Sequence, residues 1–256
     1  MYLPSFRVEG KIAVVTGAGR GIGRALAIGL AEAGADVALL ARTENDLLEV
    51  AETIRGLGRQ AYILPTDVTK REQVEQTVRA LLDQTGRIDI LVNNAGMNIR
   101  SKALDVTEEE WDTIMQTNLK SAFLLAQAVA PHMQQAGGGK IINVASVAGA
   151  VALRTGVVYG SSKAALMQMT KILALEWAKF NINVNAVGPW YFRTPLTAKL
   201  LDDPQYLKEI LDRTPQQRVG ELPDIVGPVV FLASDAAAYV NGQTLMVDGA
   251  MSVFGF

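Results

Sequence analysis

Tyr159 and Lys163 stand four residues apart in a stretch, Val158 to Phe180, whose apolar spacing reads as a long helix, so their side chains share one face. A free phenol titrates near pH 10 and is a poor base at neutrality. An ammonium about 5 Å away, at an effective dielectric of about 20, stabilises the phenolate by roughly 3 kcal/mol. That corresponds to about two pKa units, enough to make the tyrosine a usable general acid or base. Y-x-x-x-K pairs are also common on amphipathic helices that do no chemistry, so the pair takes its meaning from its surroundings. Alternative chemistries are few. The chain has no cysteine, which removes disulfides, thiolate nucleophiles and cysteine zinc sites. Its single histidine, His132, excludes a histidine metal cluster and is the only residue on which a Ser-His-Asp triad could be built. His132 lies late in a predicted helix beside Pro131, where a helix-end role is the simpler reading.

A second feature lies near the start of the chain. Thr16-Gly17-Ala18-Gly19-Arg20-Gly21-Ile22-Gly23 follows a short apolar run and precedes a helical pattern. Glycines here let the backbone approach a pyrophosphate and aim helix N-terminal amides at it. The literal G-x-G-x-x-G fingerprint is absent, and the spacing is Gly17-x-x-x-Gly21-x-Gly23. The plain alternative is a tight strand-to-helix turn without a ligand. At the end of the second predicted strand an acidic residue would bind a ribose 2′-hydroxyl, and a basic one would suit a 2′-phosphate. Here Ala41 is followed by Arg42, with no carboxylate until Glu44, and Arg20 in the turn could reach the same phosphate. This favours NADP(H) over NAD(H); the plain reading of Arg42 is a solvated loop charge.

The elements that must position these residues alternate along the chain. Predicted strands are Lys11–Thr16, Asp36–Leu40, Ala61–Leu64, Ile88–Val92, Lys140–Val144, Asn183–Val187 and Thr244–Val247, with helical patterns between them. They are almost wholly apolar, which marks strands covered on both faces. The expected fold is α/β: a single-domain Rossmann-type, doubly wound parallel sheet of about seven strands with helices on both faces. Thr107 with Glu110 three residues later has capping-box spacing and opens a long helix whose far limit is Gln135, with a bend or an end expected near Pro131. Pro228 predicts a kink or a later start in the last helix. Residues 189–222 hold four prolines and read as a weakly structured substrate loop. Trp111 and Trp177 are expected in the core or at an interface. Trp190, Tyr191 and Phe192 either face the substrate or pack the loop.

With 256 residues, 49% hydrophobic, the chain is long enough for one large core and too apolar for disorder. A net charge of −2 offers no broad footprint for nucleic acid or an anionic membrane. No apolar run is of membrane-spanning length, and Met1 to Lys11 does not read as a signal peptide, so a cytoplasmic location is expected.

Taken together the motifs resemble those of the classical short-chain dehydrogenase/reductase family over essentially the whole chain. The matching pieces, in family order, are Thr16-Gly17-x-x-x-Gly21-x-Gly23, Asp67-Val68, Asn93-Asn94-Ala95-Gly96, Asn118, Ser146, Tyr159-x-x-x-Lys163, Asn185-Ala186 with Pro189 and Thr194, and Val247-Asp248-Gly249. The resemblance implies an NAD(P)-dependent enzyme that interconverts a secondary alcohol and a ketone. In that reading Tyr159 exchanges the proton, and Lys163 lowers its pKa and holds the ribose. Ser146 polarises the substrate oxygen, and Asn118 positions a water linking Lys163 to solvent. Gly17, Arg20, Gly21, Ile22 and Gly23 hold the phosphates, and Arg42 faces the adenosine ribose. Asp67 and Val68 contact adenine. Asn94, Ala95, Gly96, Pro189 and Thr194 line the cofactor. The resemblance implies no metal, and a homotetramer. Two departures stand out: Pro189-Trp190 replaces the family's usual Pro-Gly, and Val247-Asp248-Gly249-Ala250 replaces Val-Asp-Gly-Gly.

The pattern is most similar to gluconate 5-dehydrogenase-like members, which points to a small polyol, sugar acid or ketone. The alternative is a 3-oxoacyl-acyl-carrier-protein reductase, whose acidic partner needs a basic docking patch. Met133 to Gly139 is uncharged, and Leu175 stands where that branch places a basic residue, although Lys171 and Lys179 lie nearby. A non-catalytic cofactor-binding sensor is a third reading, and such relatives typically lack the tyrosine or the lysine.

Overall fold

The computed structural model describes residues 2–255. The elements in chain order begin with β1 (Ile12–Thr16), α1 (Gly21–Glu32), β2 (Asp36–Ala41), α2 (Glu44–Gly56), β3 (Ala61–Pro65), α3 (Arg71–Thr85) and β4 (Ile90–Asn93). There follow α4 (Glu108–Met115), α5 (Ser121–Gln135), β5 (Gly139–Val144), α6 (Val157–Trp177) and β6 (Ile182–Pro189). The last are α7 (Ala198–Leu201), α8 (Pro204–Asp212), α9 (Leu222–Ala233) and β7 (Thr244–Val247). All seven strands form one parallel sheet in the order β3-β2-β1-β4-β5-β6-β7. The order reverses between β1 and β4. Ligands of open parallel sheets bind at such a switch point, beyond the carboxyl ends of the strands.

The period of two along each strand explains the near-continuous apolar runs. Ala13, Val15, Val37, Leu39, Ile90, Val92, Ile142 and Val187 face α1, α2 and α9. Ile12, Val14, Ala38, Leu40, Leu91, Ile141 and Val184 face α3, α5 and α6. Both faces are therefore buried, and a polar residue within a strand needs a dedicated partner. Asn93 on β4 donates from Nδ2 to Asn143 Oδ1 on β5 at 2.9 Å, and Asn143 donates in turn to Thr170 Oγ1 at 2.9 Å.

The helices refine the sequence expectations. α5 runs through Pro131 to Gln135, the far limit expected for it, so Pro131 does not end it. α9 starts at Leu222 and contains Pro228, so of the two expectations for that proline the later start is not met. Packing of an apolar face against the sheet outweighs the one lost backbone bond at each site. Residues 189–222 are not a loose loop: they contain α7 and α8, the latter capped by Asp203 and carrying Tyr206, Leu207 and Ile210 into a small cluster with Tyr191 and Leu201. The capping box at Thr107 is half formed. Thr107 Oγ1 accepts from the Glu110 amide at 3.1 Å, but the Glu110 carboxylate accepts instead from Ser101 Oγ at 2.5 Å. Trp111 is exposed rather than buried, whereas Trp177 packs against the α6 side of the core.

Candidate active site

The loop from β1 to α1 has two left-handed glycines, Gly17 at φ +63° and Gly21 at φ +56°. A side chain at Gly23 would put its Cβ 2.1 Å from the Gly17 carbonyl oxygen, so α1 begins hard against the turn. No side chain caps α1 and no carboxylate lies in its first turn, which leaves N-terminal amides open to an anion. Asn94 ties this turn to β4, its Nδ2 donating to the Thr16 carbonyl at 2.9 Å while Thr16 Oγ1 accepts from the amides of Asn94 and Ala95, each at 2.9 Å. Ile22 packs on the core beneath the turn. Gly21 faces Thr194, whose Cβ would lie 3.6 Å from a methyl group added at that glycine. Arg20 and Arg42 are exposed and form no ion pair with a carboxylate among the described residues. Asp67 accepts from the amide and hydroxyl of Thr69, at 3.0 and 2.7 Å. Partial burial works against its charge, but these bonds and the nearby Arg42 and Lys70 prevail and hold its carboxyl below the usual range. Val68 beside it is buried.

The second cluster lies where β5 ends and α6 begins. Ser146 follows β5 and its hydroxyl caps the next turn, accepting from the Ala148 amide at 3.2 Å. Tyr159 and Lys163 lie on the first two turns of α6. Lys163 is buried, and its Nζ donates to the Val144 carbonyl at 2.8 Å and sits 5.8 Å from the centre of the Tyr159 ring. Burial alone pulls the Lys163 pKa down to about 8. Tyr159 is half-buried, and burial pushes its phenol up, with the Ser146 hydroxyl and the Arg100 charge opposing. The expectation from spacing, a phenol brought down by Lys163, is thus not met by the protein's own groups: desolvation outweighs the neighbouring charges.

Asn118 occupies a single π-helical segment, residues Gln116–Lys120, between α4 and α5. Such bulges re-aim a side chain without breaking the helix. Its amide is committed to bracing. Oδ1 accepts from the Met97 amide at 2.8 Å, and Nδ2 donates to the Met97 carbonyl at 2.9 Å and to Ser162 Oγ at 3.1 Å. Ser162 in turn donates to the Tyr159 carbonyl at 2.8 Å. Gly96 lies against both Asn118 and Lys163: a Cβ there would stand 3.4 Å from Asn118 Oδ1 and 3.5 Å from Lys163 Nζ. The sequence-predicted residues thus converge from the ends of β1, β4, β5 and β6 onto one edge of the sheet.

Known proteins are similar to this chain in sequence and fold. A family model described as enoyl-(acyl carrier protein) reductase matches residues 17–252. The 2-dehydro-3-deoxy-D-gluconate 5-dehydrogenase of Escherichia coli is 44% identical over 253 residues, covering 97% of this chain and 98% of the relative. The chain belongs to the short-chain dehydrogenase/reductase family. It is an oxidoreductase of that family. The NAD-dependent glycerol dehydrogenase of Listeria innocua is 41% identical over 248 residues, covering 97% of this chain and 96% of the relative. A crystal structure of a gluconate 5-dehydrogenase from Burkholderia cenocepacia in complex with NADP and tartrate superposes with a TM-score of 0.95 at 40% identity, covering 100% of both chains.

Against the family pattern, Trp190 takes a structural place. Its Nε1 donates to Thr214 Oγ1 at 3.0 Å and its ring meets Tyr191 edge-on at 4.7 Å between centroids. It lines a cleft of about 340 Å³ with Gln216, Met246 and Asp248, whose walls include neither Ser146 nor Tyr159. Phe192 is core, so of the three aromatics only Tyr191 turns its polar end toward the site. Ala250, in place of glycine, adopts φ +74°. Sequence reasoning missed Ser162, Arg100 and Tyr206. Ser162 was accessible from helical spacing, three residues after Tyr159. Arg100 lies in an irregular segment with no periodic signal; Tyr206 lies on the amphipathic helix α8, whose Asp203-Pro204 start and apolar spacing were the signal available.

Among the described residues no helix is long and apolar enough to cross a membrane.

Proposed function

We propose that this oxidoreductase interconverts a secondary alcohol and a ketone on a small polyol or sugar acid, with NADP(H) as its preferred cofactor. The observation that carries this reading is the convergence of Ser146, Tyr159 and Lys163 beside the glycine turn. A bound nicotinamide dinucleotide supplies or accepts the hydride. Tyr159 moves the proton at its phenol oxygen. Ser146 holds the substrate oxygen. Lys163 and Asn118 position the catalytic helix, with Asn118 acting through Ser162 on the backbone at Tyr159. Gly17, Gly21, Gly23 and the α1 amides take the pyrophosphate. Arg20 and Arg42, without acidic partners among the described residues, take a 2′-phosphate, and Asp67 and Val68 flank adenine. Asn94, Ala95, Gly96, Pro189 and Thr194 complete the wall.

We read residues 1–256 as one catalytic domain, because the strands belong to one sheet and the site residues lie at its strand ends or on the helices packed against it. The exposed apolar side chains Phe123 on α5 and Ile172 and Leu175 on α6 support association into a homotetramer. The acyl-carrier-protein reading is supported by the description of the matching family model. It is opposed by Leu175, which is 81% exposed on the face where a basic docking residue is needed.

The test is NADPH consumption with a panel of ketones and keto acids, run beside Tyr159→Phe. Turnover is expected to fall at least a thousandfold in the variant. Equal turnover would remove Tyr159 from the reaction.

A further inference from the structure

Trp190 stands where the family pattern has glycine, and its side chain has one specific partner. Its indole Nε1 donates to Thr214 Oγ1 at 3.0 Å, and Thr214 Oγ1 donates in turn to the Ile210 carbonyl at 2.6 Å. A short chain of bonds therefore runs from the exit of β6 to the last turn of α8. Trp190 and Thr214 bound one excursion of the chain, which holds α7 and α8. Its root is paired by backbone. The Gly220 amide donates to the Tyr191 carbonyl at 2.9 Å, the Arg193 amide to the Gly220 carbonyl at 3.2 Å, and the Gln216 amide to the Gly249 carbonyl at 3.3 Å. Residues 194–213 thus form a flap rooted at the ends of β6 and β7.

The flap spans the cleft. At its start it lies against the glycine turn: a methyl group added at Gly21 would stand 3.6 Å from Thr194 Cβ and 3.8 Å from Pro195 Cδ. At its far side Tyr206 accepts from Arg100 at 2.9 Å, and Glu209 pairs with Arg154 in the segment that leads into α6. Those outer contacts are open to water, which competes for them, and exposed ion pairs hold weakly. The tie at the root is different, because Thr214 is buried. Water competes less for a shielded hydrogen bond, and an indole N–H packed against protein needs its acceptor. Glycine at position 190 would supply no tie and would loosen the root further.

We propose that Trp190 is a positioning residue for the dinucleotide: through Thr214 it fixes the root of the flap, so that residues 194–213 stand closed against the glycine turn and slow the release of bound cofactor. Trp190 acts through Thr214 on α8 and along the chain on Thr194. This rests on the reading of the glycine turn as the dinucleotide site, and adds to it a residue that governs how long the dinucleotide stays.

The experiment measures NADPH release by stopped flow, as the fall in NADPH fluorescence when excess NADP⁺ is added, beside NADPH affinity by calorimetry. Trp190→Phe removes the donor and keeps a ring; Thr214→Val removes the acceptor at nearly the same volume. Each should speed release at least tenfold. Kd should rise only several-fold, because a looser flap also admits the cofactor faster. The double variant should be no faster than either single one, since both remove the same bond. Thr214→Ser, which keeps the hydroxyl, should release at close to the parent rate. Trypsin supplies a readout that needs no cofactor. Cleavage after Lys199 and Lys208, both exposed on the flap, should quicken at least fivefold in either single variant, with Tm within a few degrees of the parent. Unchanged release in the single variants would overturn the proposal, even with faster digestion. So would effects that multiply in the double variant, or a Thr214→Ser variant as leaky as Thr214→Val. A parent that binds no NADPH would count against the proposed function, while digestion at Lys199 and Lys208 would still decide the tie. Should Trp190→Phe fail to fold, Thr214→Val against Thr214→Ser carries the same test.

Discussion

Lys163 and Tyr159 are neighbours on one helix face, yet the ammonium of Lys163 is bonded to the Val144 carbonyl at 2.8 Å and stands 5.8 Å from the phenol ring. The lysine is a buried cation with one backbone acceptor and no acidic partner among the described residues. Its folded pKa is about 8 against 10.5 for the free side chain. Between those values the unfolded chain binds more protons than the folded one, so stability rises with pH there; below pH 8 the cost is carried in full. That cost is at most about 3 kcal/mol, partly offset by the bond to Val144.

Lys163→Met should therefore be inactive but more stable than the parent at pH 7, by about 1 kcal/mol, or about 2–4 °C in Tm for a chain of this size. The difference should shrink as pH climbs from 8 to 10.5. Thermal unfolding at a series of pH values measures it, and a gap that widened with pH would contradict the account.

The phenol of Tyr159 lies above its ordinary range because of burial. Alcohol oxidation needs phenolate, so its kcat/KM should climb with pH through the alkaline region. Carbonyl reduction needs the protonated phenol and should stay level across neutrality. Arg100 favours phenolate, so Arg100→Met should move the alkaline limb of oxidation to higher pH. Initial rates in both directions from pH 6 to 10.5 test this; a limb that moved down would be the wrong sign.

Gly23 has no room for a methyl group, with 2.1 Å to the Gly17 carbonyl oxygen and 2.4 Å to Asn94 Nδ2. Gly23→Ala should cost about 1–3 kcal/mol through forced backbone movement. It should also weaken NADPH binding, because the displaced carbonyl belongs to the phosphate turn. Fluorescence titration with NADPH alongside thermal unfolding would show both losses or refute the packing argument.

Ala250 at φ +74° carries a conformational cost that glycine would not. Ala250→Gly is expected to stabilise the chain by about 0.5–1 kcal/mol, read as a small rise in Tm. A fall in Tm would mean that the methyl group packs usefully.

Arg42 has no ion-pair partner among the described residues and lies close enough to Asp67 to lower its pKa. Arg42→Ala should raise KM for NADPH at least tenfold and leave KM for NADH within a few-fold, since only NADPH carries the 2′-phosphate. Equal effects on both would assign the arginine to adenine or to nothing.

The amino-acid sequence alone determined the alternation of strands and helices, the two-sided burial of the sheet, the glycine turn and the shared face of Tyr159 and Lys163. These follow from periods of two and 3.6 residues and from the backbone freedom of glycine, which are properties of neighbours along the chain. The tertiary structure decided what depends on distant partners. Pro131 and Pro228 sit inside helices because the sheet holds those helices in place. Trp190 turns to Thr214 because α8 folds back toward β6. The phenol of Tyr159 moves upward because burial, invisible to spacing, exceeds the pull of the charges beside it. Arg100 meets Tyr206 across 106 residues of chain, a contact that no local pattern encodes.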